Sequence, residues 1–503
     1  MRRQIVTFAG VLPVLGLATP VIDDSPTRVQ TTLKVDMTCV GTLRPKGVGE
    51  ISTKRWTVDC AGIDREHADW RSVCEYVPPL GIARIRQQAG WARCEKDPGI
   101  YDFAWLDYVV FDAKKRGIDV WMELTYGNPS YPGGGGRGLA AGIPTSEEGL
   151  AAWDRWVERM VDRYKGTVKD WCVWNEPDND QAPNDPQLLA RFAIRTAKII
   201  RRGIPDAHID AYALCWPRMN YIEPFVEELL RTEGGRTLFN TLTYHHYWPN
   251  PDGEGPNDNV KRARAYLDKN LPELGMKEGE GGTLSEWCAH GALNKMPWTE
   301  LKQAKYDLRR SLGDLSRDID TSVFHLCDLE YRTSFRGFHD GLVRYGLLKS
   351  TGQADGFRVL KVKTAYYAIQ NAVSVFNDAL EPLAAKTTST LSGLENGWIF
   401  DWRDRRTGLP VVVFWDGAKE PQQDNVTVEA KVAVKGARLA DPVWTDLLTG
   451  DCYAIPADRI SEADGTTVYT VPVYDSPAFI TDRSLLTLDK SWEVRWREEK
   501  SAR

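Results

Sequence analysis

Between residues 56 and 376 the chain alternates short apolar runs with longer amphipathic stretches. The short runs fall at 56–60, 82–86, 120–124, 171–174, 209–214, 241–244, 282–285 and 321–326. They are too brief for helices and predict eight strands. Between them, Trp153, Trp156, Val157, Met160, Val161 and Tyr164 recur at helical spacing. Leu188, Leu189, Phe192, Ile199 and Ile200 mark a second helix, and Tyr366, Ile369, Val373 and Phe376 the last. Strand–helix alternation repeated about eight times predicts an α/β fold, a (β/α)8 barrel. An open doubly wound sheet usually carries a Gly-rich phosphate turn after its first strand. Cys60-Ala61-Gly62-Ile63-Asp64 is not one.

Beyond residue 380 the pattern changes to short strands at 387–392, 397–402, 411–415, 426–434, 452–455 and 467–473. Turns such as Asp416-Gly417 and Asp464-Gly465 separate them, which predicts an accessory C-terminal β-sandwich. A length of 503 residues accommodates one barrel and one smaller domain. The expected division is a signal peptide at 1–18, an extension at 19–54, the barrel at 55–380, the sandwich at 381–490 and a tail at 491–503. The extension is expected to add strands to the sandwich or to cap the barrel. Long loops at 129–142 and 250–259 follow strands three and six, so a barrel would place both on its catalytic face.

The N-terminus adds a cellular address. Arg2 and Arg3 precede an apolar stretch at 5–17, and Gly16-Leu17-Ala18 offers a small-residue cleavage site. This is a secretory signal pattern, and the paired arginines fit the twin-arginine route, so a secreted or periplasmic location is expected. No other segment is long and apolar enough to predict a membrane span. A net charge of -6, with both signs spread along the chain, gives no basic patch and argues against a nucleic-acid partner. The nine cysteines form no Cys-x-x-Cys pair, and the seven histidines form no His-Glu-x-x-His helix. No metal or other cofactor is therefore expected.

The chemistry concentrates at two strand ends. In Trp171-Cys172-Val173-Trp174-Asn175-Glu176-Pro177 an apolar run meets a polar pair, and Pro177 then stops the strand. In a barrel this puts Glu176 in the cleft. Thr283-Leu284-Ser285-Glu286-Trp287 ends another short run 110 residues later, room for about three β/α units. The spacing places the two carboxylates on strands four and seven, across the barrel mouth. Glycoside hydrolysis needs such a pair, one to protonate the leaving oxygen and one at the anomeric carbon.

These segments resemble clan A glycoside hydrolases, and most closely family 39, the β-xylosidase and α-L-iduronidase family. The resemblance spans roughly residues 55–375. It rests on Trp174-Asn175-Glu176-Pro177, on Ser285-Glu286-Trp287, on Leu80-Gly81-Ile82-Ala83-Arg84-Ile85-Arg86 and on His245-His246-Tyr247. It implies a retaining mechanism with Glu176 as acid/base and Glu286 as nucleophile, the carboxyls about 5–5.5 Å apart. It further implies that His245 meets the substrate or the acid/base, and that Tyr247 hydrogen-bonds the nucleophile.

Other roles follow from residue chemistry. Arg86 is expected to orient Glu286 and keep it ionised, and Asn175 to hold a sugar 2-hydroxyl. Trp91, Trp248 and Trp287 are candidate sugar platforms. Gln88, Tyr126, Asn128 and Asp328 sit near strand ends and could bind hydroxyls. The expected partner is an oligosaccharide, polysaccharide or simple glycoside, with a β-xyloside first. A non-catalytic carbohydrate-binding protein and a transglycosylase would use the same residues. The strand-eight segment Phe324-His325-Leu326-Cys327-Asp328 and the glycines at 133–136 depart from the family pattern, so the sugar stays open.

Overall fold

The computed structural model describes residues 33–139, 142–180, 183–286, 298–331, 341–384 and 386–489. The expected signal at 1–18, the tail at 491–503 and Trp287 lie outside the described residues. Eight parallel strands close a barrel, and they are named here β1 to β8. They are Trp56–Asp59, Arg84–Gln88, Asp119–Leu124, Asp170–Val173, His208–Leu214, Thr241–His246, Gly275–Gly281 and Thr321–Val323. Closure comes from β8 pairing with β1, Trp56 opposite Thr321 and Val58 opposite Val323.

Seven main helices flank the strands: α1 Ala104–Lys115, α2 Glu147–Tyr164, α3 Pro186–Gly203, α4 Met219–Arg231, α5 Glu254–Asn270, α6 Glu300–Ser316 and α7 Thr364–Val375. The α2 residues expected to face inward are buried, from Trp153 to Tyr164. Ser146 caps that helix by accepting the Gly149 N–H at 2.9 Å. Leu188 departs from expectation, because it is 47% exposed on the first turn of α3. The 250–259 segment also departs. Its second half is the start of α5, so the loop after β6 is shorter than the sequence suggested.

One strand was misplaced by the hydrophobic pattern. The seventh is Gly275–Gly281, not the expected 282–285. Its residues, Gly-Met-Lys-Glu-Gly-Glu-Gly, contain no apolar run. It is nonetheless buried because its charges are paired inside the fold. Lys277 points into the barrel, 3.2 Å from Asp210 on β5 and over the Trp121 ring. Glu278 points outward to Arg310 of α6 at 2.6 Å and to Thr321 at 2.9 Å. Paired burial of this kind is tolerated where unpaired burial is not.

The C-terminal part is a β-sandwich. One antiparallel sheet runs Leu380–Pro382, Gly397–Asp404, Pro410–Asp416, Ala478–Asp482, Pro442–Asp446, Asp451–Ala454, Thr38–Leu43 and Leu488–Asp489. The second has four strands, Thr390–Ser392, Val428–Lys435, Thr466–Val473 and Ile460–Ala463. Val412 and Phe414 face the sandwich core, while Val411, Val413 and Trp415 face the barrel. The larger sheet is thus covered on both faces where it meets the barrel, which explains the unbroken apolar run Val411-Val412-Val413-Phe414-Trp415. The strands Pro442–Asp446 and Ala478–Asp482 were not expected from the sequence. No described helix is long and apolar enough to cross a membrane.

Candidate active site

The end of β4 is bent to deliver Glu176. Trp174 and Glu176 both take left-handed backbone conformations, φ 75° and 46°. Such positions cost on the order of 1–3 kcal/mol for non-glycine residues and persist only where packing fixes them. Here the Trp174 ring is enclosed by Tyr126, Trp153 and Phe192. The Glu176 N–H is held by the Ala213 carbonyl of β5 at 2.8 Å. The Glu176 carboxylate then meets His245 Nδ1 at 2.9 Å and accepts from Asn179 Nδ2 at 3.0 Å.

Opposite Glu176 stands Glu280, a residue the sequence reading missed. A bulge on β7 brings it there. Thr243 pairs with Lys277 and Tyr244 with Glu278, but His245 pairs with Glu280, so Gly279 is an extra residue. Strict alternation would turn Glu280 outward; the inserted residue rephases it to face inward with His245. Gly279 also makes room for the histidine, since a Cβ there would lie 3.1 Å from His245 Cδ2. Glu280 accepts Arg86 Nη1 at 2.7 Å on Oε2 and the Tyr247 hydroxyl on Oε1. His245 Nδ1 lies 3.7 Å from the same Oε1. Glu176, His245 and Glu280 each present an atom within 4.8 Å of the others.

Arg86 organises the floor of the site. Its fully buried guanidinium contacts Asp59 at 2.5 Å, Glu123 at 2.7 Å, Glu280 at 2.7 Å and the Asn175 side-chain oxygen at 2.5 Å. Glu123 was not foreseen as a site residue. Three carboxylates around one cation cannot all ionise cheaply. Burial, together with the Glu280 charge and against the pull of Arg86, pushes Asp59 up to about 7. Burial also opposes the charge on Glu280. His245, Arg86 and the Tyr247 hydrogen bond outweigh it and hold Glu280 below the usual carboxylate range. His245 is shifted the other way. Burial lowers it, but Glu280 and Glu176 raise it above the ordinary imidazole value.

Asn175 donates to the Tyr126 hydroxyl at 2.8 Å, and Gln88 donates to Glu123 at 3.0 Å. Arg65 closes this side, donating to Gln88 at 2.7 Å. Asn175, Arg86, Gln88, Tyr126, His245 and Tyr247 therefore gather around the two carboxylates. Other expected site residues do not. Glu286 lies five residues beyond β7, its side chain 38% exposed, and its carboxylate pairs with Lys349 at 2.8 Å. The expectation that it ends strand seven beside Arg86 is corrected, because the strand stops at Gly281. Trp91 is fully buried, stacked on Trp156 and Tyr131 with its N–H on Glu95 at 2.6 Å. It is core, not an exposed sugar platform. Asn128 donates to the Glu95 carbonyl and shapes the loop after β3. Asp328 is buried against Lys363 at 2.6 Å. Trp248 stays 49% exposed at the end of β6.

Glu176, His245 and Glu280 could in principle embrace a cation. Both oxygens of Glu280 are already engaged, however, one by Tyr247 and one by the Arg86 guanidinium. A cation there would lie against a fixed positive charge, which disfavours it. The geometry suits an uncharged group entering between two carboxylates, one of them held ionised.

No protein-family model and no curated protein matches the chain. Solved structures do match. A family 39 glycoside hydrolase from the gut symbiont Bacteroides cellulosilyticus superposes with a TM-score of 0.60 at 17% identity, covering 87% of this chain and 83% of that one. A monomeric β-xylosidase from Caulobacter crescentus gives 0.53 at 14%, covering 88% and 98%. A family 30 endoxylanase from Clostridium papyrosolvens gives 0.53 at 12%, covering 89% and 99%. The chain shares the barrel-and-sandwich fold of these glycoside hydrolases, which is the fold the sequence resemblance implied.

Proposed function

We propose that this protein is a retaining glycoside hydrolase, with Glu280 as nucleophile and Glu176 as acid/base. The observation that carries the reading is the opposed pair itself. Carboxylate oxygens of Glu176 and Glu280 approach within 4.8 Å, and Arg86 and Tyr247 grip Glu280. Inverting enzymes hold their carboxyls about 6.5–9.5 Å apart to seat a water, whereas retaining ones keep about 5–5.5 Å. Glu280 attacks the anomeric carbon as protonated Glu176 gives its proton to the leaving oxygen. The glycosidic C–O bond breaks and a glycosyl ester on Glu280 forms. Glu176, now a carboxylate, takes a proton from water, and the hydroxide oxygen displaces Glu280. His245 Nδ1 stands between the two groups, 2.9 Å from Glu176 and 3.7 Å from Glu280, where it steadies whichever of them carries the charge.

Similar structures include a β-xylosidase and an endoxylanase, which makes aryl β-xylosides the first substrates of choice. The N-terminal pattern supports export, checked by N-terminal sequencing of the secreted protein. The catalytic reading is tested with two variants side by side. Glu280→Gln should lose at least about 10³-fold in kcat, while Glu286→Gln should keep most activity. A 2-fluoro glycoside should leave its sugar on Glu280 by peptide mass mapping, and azide should restore turnover to Glu176→Ala on an activated aryl glycoside. An active Glu280→Gln enzyme would sink the assignment.

A further inference from the structure

The rim beside Glu176 holds aromatic surface that the two-step reaction does not use. Twelve of the sixteen tryptophans among the described residues are essentially fully buried, but Trp216 is 43% exposed. It lies two residues beyond β5, the strand next to β4. Its position is rigid. The Arg218 guanidinium sits 4.5 Å from the ring centroid. That guanidinium is pinned in turn by Asp178 at 3.0 Å and Asp180 at 2.9 Å. Asp178 also accepts the Cys215 N–H at 2.8 Å, tying the Glu176 loop to the Trp216 loop. A cation lies over the indole, which still keeps 43% exposure.

A second exposed indole, Trp248, follows β6, and the backbone N–H of that residue donates to the Tyr306 hydroxyl at 3.3 Å. The strand order is β4, β5, β6, so the two indoles follow the strands next along the rim from Glu176. An acid that protonates the leaving oxygen must face the leaving group. Surface beyond that acid therefore meets the departing part of the substrate. Rigid indoles suit the apolar C–H faces of pyranose rings. Two aspartates face the single Arg218 cation, so the surface offers an acidic sugar no unpaired positive charge.

We infer that Trp216 and Trp248 form a leaving-group subsite for neutral pyranose rings. The substrate is then a chain that continues past the cleaved bond, not a glycoside of a small alcohol. This rests on the glycosidase reading only for which side is the leaving-group side.

The test is calorimetric titration of full-length Glu280→Gln protein with xylotriose and with cellotriose. Adding Trp216→Ala or Trp248→Ala should weaken the Kd of the better ligand about tenfold, whereas Trp216→Phe should stay within about threefold. Unchanged affinity in Trp216→Ala overturns the inference, as does failure of both trisaccharides to bind. A wild-type protein that binds through Trp216 yet hydrolyses no glycoside leaves the subsite standing and removes the catalytic reading instead.

Discussion

Arg86 Nη1 reaches Asp59 at 2.5 Å and Glu280 at 2.7 Å, so one buried nitrogen serves two carboxylates of different strands. The pair it joins is pushed apart in acidity. Glu280 stays ionised at the mouth, and Asp59 takes the burden of the crowding below it. Separation of titration between neighbouring groups is how a site assigns roles to like residues.

This gives Asp59 a measurable effect on stability. Its folded value of about 7 lies above the ordinary 3.8. Between those values the folded protein keeps a proton that the unfolded chain has lost. The stabilisation is full below pH of about 4 and is lost as pH rises towards 7. Asp59→Asn cannot lose it. The Tm of Asp59→Asn minus that of the wild type should therefore be larger at pH 7.5 than at pH 4.5, by several degrees. Thermal unfolding at the two pH values measures it, and an equal difference at both would refute the assignment.

Tyr247 bears on Glu280 directly. Its hydroxyl is one of the groups holding the carboxylate below its usual range, after His245 and Arg86 and against burial. Removing it in Tyr247→Phe lets Glu280 hold its proton to higher pH. A nucleophile must be ionised, so the acidic limb of kcat/KM should move upward in pH. A hydrogen bond to a charged group is worth about 1.5–3 kcal/mol, so kcat/KM at the optimum should fall roughly 10- to 100-fold. A pH–rate profile of the variant on an aryl glycoside decides it. An unmoved acidic limb would take Glu280 out of the nucleophile's role.

The contrast between β4 and β7 explains what could be read in advance. Trp171-Cys172-Val173-Trp174 is apolar on both faces and ends in Asn-Glu-Pro, so strand, phase and carboxylate were all legible. The barrel and the sandwich were legible for the same reason, repeated apolar runs with turns between them. Strand β7 reads as a loop because its side chains are glycines and charges. Their partners, Asp210, Arg310 and Arg86, are distant in sequence and visible only in three dimensions. The apolar run that stood in for it lies past the strand end and carries Glu286. Two Glu-Gly pairs in succession, Glu278-Gly279-Glu280-Gly281, were the available signal. A glycine within a strand points to a bulge or a close approach, and Gly279 is both.

Gly279 therefore makes its own prediction. A Cβ there would stand 3.1 and 3.2 Å from two atoms of the His245 ring, so Gly279→Ala must move the imidazole by a few tenths of an ångström. The backbone itself is not in the left-handed region, so the fold should tolerate the methyl. The expected result is a Tm within about 3 °C of wild type, with kcat reduced at least about tenfold as His245 shifts between the carboxylates. Unchanged kcat would mean that the position of His245 is not critical.

The last prediction concerns the sandwich, which takes part in holding the cleft. Asp252, in the loop that carries Trp248, accepts Arg309 of α6 at 2.7 Å and the indole N–H of Trp415 in the sandwich at 2.8 Å. The same loop reaches the Asp416-Gly417 turn through Asn250, whose side chain donates to the Gly417 carbonyl at 3.2 Å. Arg309 completes the clamp on the Lys419 carbonyl at 2.9 Å. Asp252→Ala would leave the fully buried Arg309 without its carboxylate. Breaking a buried pair from one side costs about 3–5 kcal/mol, so Tm should drop by at least about 5 °C. The Trp248 loop would lose its anchor, and KM for an oligosaccharide should rise more than KM for an aryl glycoside. Calorimetry and paired kinetics report the two effects separately. A lowered Tm with both KM values unchanged would make the clamp purely structural, whereas a selective rise for the longer substrate would tie the sandwich to substrate choice.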